Sequence, residues 1–213
     1  MSVPVLFPPR IARLERDARG YPIPWNVLRG DDGTPFFTVN DDRKRHRALC
    51  EELCPICGER LGRWKWFVGG PLSAFDPNGW FIDLPMHAEC ARFALATCPY
   101  LAAPKWLARE EKHIPHADKL PAVPLVDPTL MPDRPELFVA IASAKVEING
   151  GSAYAVRLGD RVLPLGAYLR PARPVLDYEF WRQGEPLPLA AALPILREVF
   201  GPDWFPPERS VNS

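Results

Sequence analysis

Two short pairs of soft metal ligands, Cys54-Pro55-Ile56-Cys57 and His87-Ala88-Glu89-Cys90, constrain this chain more than any other feature in it. Thiolate sulfur and imidazole nitrogen are the donors a tetrahedral zinc ion takes, and structural sites fill all four positions from protein. Two residues between Cys54 and Cys57 let both sulfurs reach one ion, and the following Gly58 permits a tight reversal of the backbone. The His87-x2-Cys90 spacing places both side chains on one face of a helix, and Pro85 fits a boundary just ahead of it. A helix from about Met86 to Thr97 is therefore predicted. Cys50 and Cys98 lie near enough in sequence to stand in for His87 as the fourth ligand; otherwise they read as small buried apolar residues. A closed four-ligand site has no position left for water, so its free energy goes into folding, roughly 10 kcal/mol or more at neutral pH. Chelation is accordingly expected to unfold the half of the chain that carries it.

Between the two pairs, residues 63–68 read as a strand and 79–84 as its hairpin partner. Gly69-Gly70-Pro71 ends the first, and Asp76-Pro77-Asn78-Gly79 turns into the second. The order knuckle, hairpin, helix resembles the treble-clef zinc finger over about residues 54–98. That resemblance implies Cys54, Cys57, His87 and Cys90 as the ligands. Beyond the finger, Cys54-Pro55-Ile56-Cys57-Gly58, Pro85-Met86-His87 with Cys90-Ala91, and Cys98-Pro99-Tyr100 resemble small zinc-containing proteins of unknown function from phage and GC-rich bacterial genomes. Such a family implies no activity. Trp64, Trp66, Phe67, Trp80 and Phe81 place aromatics on both faces of the hairpin, so one face needs cover from the N-terminal segment, the linker or another protein, with cover from within the chain favoured.

The rest of the chain organises around this module into an α+β fold. Residues 1–40 read as an irregular lead-in with one short helix, opened by Pro8-Pro9, closed by Gly20 and striped with Arg10, Arg13, Arg16 and Arg19. A helix over 41–53, capped by Asn40 or Asp41, carries Arg43, Lys44, Arg45 and Arg47 and opens the zinc module of residues 41–100. Residues 101–136 form a linker: eight prolines fall between 99 and 136, making it an extended, semi-rigid spacer with one or two helical turns over 106–112. Residues 137–205 read as a small β-meander with a C-terminal helix, and 206–213 as a tail. The expected strands are 137–148, ending at Asn149-Gly150-Gly151; 153–158; Val162-Leu163 after Gly159-Asp160; and 175–181, with Leu176, Tyr178 and Phe180 inward. The final helix, 189–200, puts Leu189, Leu193, Leu196 and Phe200 on one stripe, and Pro194 should kink or split it before Gly201-Pro202 stops it.

Composition narrows the function. The chain has 213 residues, of which 47% are hydrophobic, enough for a sizeable core. Lys and Arg number 26, as do Asp and Glu, and residues 1–100 carry 13 and 12 of them, so neither half is a basic domain. Nothing global draws the chain to nucleic acid or anionic membranes. The N-terminus lacks the pattern of a signal peptide and no stretch is long enough to span a membrane, which points to the cytoplasm, the host's if the protein is phage-encoded. Five cysteines in a reducing compartment read as ligands plus spares. Treble-clef nucleases add two histidines around a catalytic metal. The histidines left here are His46, His113 and His116, and they assemble no such constellation. His113-Ile114-Pro115-His116 has ligand-like spacing but reads as a solvated loop in the linker. No phosphate loop or nucleophile elbow is present, so no catalytic residue is assigned. The expectation is a zinc-stabilised, non-enzymatic binding or adaptor protein of phage or bacterial origin with a protein partner. The alternative is a nucleic-acid-binding regulator using Arg10, Arg13, Arg16, Arg19, Arg43, Lys44, Arg45 and Arg47; a third reading is a metal-dependent nuclease.

Overall fold

The computed structural model describes residues 7–103, 134–149, 155–158, 161–164, 168–172 and 174–209. In chain order the elements are α1 (Pro9–Ala12), β1 (Val27–Arg29), β2 (Pro35–Asn40), α2 (Asp42–Glu51), β3 (Lys65–Gly69), α3 (Pro71–Phe75), α4 (Ala88–Thr97) and α5 (Pro99–Ala102). They are followed by β4 (Phe138–Ser143), β5 (Val146–Asn149), β6 (Ala155–Leu158), β7 (Arg161–Pro164), β8 (Tyr168–Pro171), β9 (Asp177–Arg182), β10 (Glu185–Leu187) and α6 (Leu189–Phe200). The mixture of helix and sheet is the expected α+β class.

A four-stranded antiparallel sheet, ordered β10-β9-β4-β3, organises the molecule. Side chains alternate across a strand, and here both faces are buried. Phe67, Val139, Ile141, Tyr178 and Phe180 face one core, shared with Phe75 of α3, Leu169 of β8, and Ala192 and Leu196 of α6. Trp66, Val68, Phe138, Ala140, Ala142 and Trp181 face a second core, shared with Cys54, Cys90, Ala91, Leu95 and Ile11. This is why Phe138–Ser143 is an unbroken small-and-apolar run, with every residue of β4 buried: a strand covered on both sides has no polar face to alternate with. Cover on both faces comes from the chain itself, although Trp64, just before β3, stays 39% exposed.

The hairpin expected between the ligand pairs does not form. Residues 79–84 contain no strand, and β3 instead pairs with β4, Trp66 opposite Ala142 and Phe67 opposite Ile141. Gly70-Pro71 opens α3, and Phe81 makes a single bridge with Leu169. What survives of the local hairpin is one antiparallel pair, Trp66 with Met86, joined by two backbone hydrogen bonds of 2.9 and 2.8 Å. Four other expectations are corrected. The helix expected to run to Gly20 ends at Ala12, so the four arginines do not share a helix face. The lead-in is not otherwise irregular: β1 and β2 form a hairpin around Asp31-Asp32-Gly33, with Gly33 at φ 82° and Asp32 accepting from the Thr34 amide. Pro194 sits inside a continuous α6; it and Ala190, whose carbonyl loses its partner, are exposed, so water can satisfy that carbonyl. The buried stripe of α6 runs through Ala192 and Leu196 rather than Leu189, which is exposed.

The expected 137–148 strand is broken just after Ser143, whose hydroxyl donates to the Ala172 carbonyl at 2.7 Å, giving β4 and β5. β5 then pairs with β8, and β6 with β7 as expected. The linker's expected turns over 106–112, the His113/His116 pair, and the Gly150-Gly151 and Gly159-Asp160 turns lie outside the described residues.

Candidate metal centre

Cys54 lies in a turn that is built for close approach of its backbone. The Cys54 amide donates to the Glu59 carbonyl and the Gly58 amide to the Cys54 carbonyl, each at 2.8 Å, while Leu53 and Arg60 form an antiparallel bridge across the turn. Gly58 takes φ 73°, which L side chains rarely adopt. The Trp25 ring covers it, and the Trp25 and Asn26 amides donate to the Ile56 and Pro55 carbonyls at 2.8 and 3.0 Å. The lead-in thereby clamps the knuckle from outside.

The second pair enters on α4. His87 is the N-cap residue and Cys90 lies in the first turn, where the positive end of the helix dipole favours a thiolate. The Trp66–Met86 bridge fixes the backbone immediately before His87. Across the site, Arg10 of α1 donates to Glu59 at 2.8 Å and to Glu89, tying the lead-in to the knuckle and to α4 together. One turn further along α4, Arg92 grips Glu179 of β9 through Nε at 2.9 Å and Nη2 at 2.5 Å.

The ligand atoms of Cys54, Cys57, His87 and Cys90 all lie within 4.8 Å of one another, with Cys57 Sγ 3.4 Å from His87 Nδ1. The edges of a tetrahedral zinc site with nitrogen and sulfur donors are about 3.6–3.8 Å. The chemistry of the donors also fits. His87 Nε2 lies 3.1 Å from the Arg60 carbonyl oxygen, which can only accept, so Nε2 carries the proton and Nδ1 presents its lone pair to the three sulfurs. Burial raises the Cys54 thiol, but hydrogen bonds from Cys57 and Cys90 outweigh it and hold it well below the usual thiol range. Cys90, donating to Cys54 and Cys57 and facing their charge, is pushed up. Three sulfurs this close cannot all ionise unaided; a divalent cation among them removes that repulsion. The four residues could therefore hold a metal ion, and the set is compatible with zinc.

All four residues expected from the sequence come together, and neither Cys50 nor Cys98 belongs to the group. The Arg60 carbonyl, which orients His87, had no signal in the sequence because the group is backbone. The Arg10–Glu59–Glu89 lock was hidden for a related reason: Arg10 read as one of a basic stripe. Of the other arginines, Arg13 pairs with Glu59 at 2.9 Å, Arg19 with Asp17 at 2.8 Å and Arg47 with Glu51 at 2.8 Å, and Arg16 lies over the Phe7 ring. Arg45 is 7% exposed and donates to the Ile82 carbonyl at 2.5 Å; Lys44 lies 5.9 Å from the Trp25 ring, and Arg43 is exposed. Among the described residues no helix is long and apolar enough to cross a membrane. No family model matches the chain, and neither a curated protein nor a solved structure shows significant similarity to it.

Proposed function

We propose that this is a zinc-stabilised binding or adaptor protein whose metal centre is structural and whose task is to present a surface to another protein. The observation that carries the metal reading is the orientation of His87. Its outer nitrogen is committed to the Arg60 carbonyl, leaving four soft donors converging on one point, two of them on fully buried cysteines. Four protein ligands close the coordination sphere, so such an ion neither binds substrate nor activates water. Knuckle followed by a ligand-bearing helix supports a treble-clef-like arrangement, with the hairpin between the ligand pairs reduced to the Trp66–Met86 pair. A protein partner is favoured over nucleic acid by the balanced charge and by the local ion pairs that engage Arg10, Arg13, Arg19 and Arg47.

Elemental analysis of the purified chain should give one zinc per molecule, lost in the double variant C54S/C90S; zinc retained by that variant would refute the assignment. For the partner class, binding to DNA or RNA should be weak and nonspecific. A salt-dependent association whose slope reports several phosphate contacts would instead establish the nucleic-acid reading.

A further inference from the structure

A second pair of soft ligands lies on α2, apart from the metal centre. His46 and Cys50 stand one helical turn apart, with His46 Nε2 3.7 Å from Cys50 Sγ. Cys50 is exposed and His46 half-buried. An ion held by imidazole at ~2.0–2.1 Å and by thiolate at ~2.3 Å, at a tetrahedral angle, sets those two atoms about 3.6 Å apart. The pair already has that separation, as do Cys57 and His87 at 3.4 Å in the main centre. Without an ion the same geometry is a long thiol–imidazole hydrogen bond. The scaffold is firm: Asp41 caps α2 by accepting from the Arg43 and Lys44 amides at 2.9 and 3.1 Å, so no loop has to order for the two donors to meet. Of the charged groups on the same helix, Arg47 is paired with Glu51 and Asp42 lies one turn before His46, while the exposed Arg43, also one turn before His46, is a cation that an ion bound here would have to tolerate.

We propose that His46 and Cys50 form a second, open site that takes a borderline divalent cation of the zinc class, with water in the remaining positions. Two ligands bind more weakly than four, so this ion exchanges freely with solution while that of the main centre does not.

The test titrates the zinc-loaded full-length chain with Co²⁺ and follows the thiolate-to-cobalt charge-transfer absorption. The wild type should take up one further equivalent with such a band. C50S should abolish the band, and H46A should weaken binding by a factor of at least about 10. No uptake by the wild type, a band that survives C50S, or an affinity unchanged in H46A would each overturn the site. An independent readout uses the unaltered chain: added Zn²⁺ should slow alkylation of Cys50 but not of Cys98, read by peptide mass mapping. Equal rates at Cys50 with and without zinc would count against the proposal. A failure of the main centre is distinguishable, because it removes the first equivalent and leaves the behaviour of Cys50 as predicted.

Discussion

At Gly58 the backbone takes φ 73°, and a Cβ there would meet the Trp25 ring at 2.7 Å. Two penalties coincide: the left-handed conformation costs an L residue on the order of 1–3 kcal/mol, and the indole cannot move without giving up its place over the knuckle. Gly58→Ala should therefore destabilise the metal-loaded protein by about 1–3 kcal/mol, read as a lower urea midpoint at unchanged slope. An unchanged midpoint would mean that the turn relaxes freely and that Trp25 is not a clamp. The glycine was readable from the sequence because it directly follows the Cys-x2-Cys pair. Trp25 was not, since nothing in the sequence relates it to a residue 33 positions on. His87 shows the same division: its spacing from Cys90 marks it as a candidate ligand, but the carbonyl that sets its tautomer belongs to Arg60 and leaves no side-chain trace.

Elements with local causes were legible, and those with distant causes were not. α2 forms where Asp41 can accept from the first free amides and where Asp42 complements the dipole. Asp41→Ala should cost about 1 kcal/mol, seen as a reduced thermal midpoint with metal still bound; retention of full stability would show that tertiary packing alone holds α2. β9 and α6 were likewise written in local periodicity. β3 was recognised as a strand but given the wrong neighbour. Asp76-Pro77-Asn78-Gly79 does make a turn, with the Asn78 amide on Asp76 at 2.7 Å, and turn chemistry so close suggested a hairpin. The competing signal lay some 70 residues on, in Phe138–Ser143. Its unbroken apolar run matches a strand buried on both faces, and in the sheet it takes β3 on one edge and β9 on the other. Local reading cannot weigh a pairing whose return is that remote. The β1–β2 hairpin, by contrast, was missed despite a readable Asp-Gly signal.

For the molecule as a whole, the pairing of β3 with β4 changes what loss of the metal should do. If the ligand-bearing segment were a free-standing hairpin, chelation would unfold that segment alone. The core that contains Cys54 and Cys90 also contains Trp66 and Val68 of β3, Phe138, Ala140 and Ala142 of β4, and Trp181 of β9, so it spans three strands of the central sheet. Structural zinc sites contribute roughly 10 kcal/mol or more of apparent binding free energy, comparable to the whole net stability of a domain, about 5–15 kcal/mol. Removing the ion should therefore expose both sides of β4 to solvent, the metal side first and the Phe67–Ile141 side through the lost register of β3. Hydrogen exchange tests this directly. On adding a strong chelator, amides of Phe138–Ser143 and Asp177–Arg182 should lose protection together with those of Lys65–Gly69, and restoring zinc should recover all three. Exchange that quickens in Lys65–Gly69 while β4 and β9 keep their protection would show that the remaining strands and α6 fold without the metal centre, leaving β3 a docked edge.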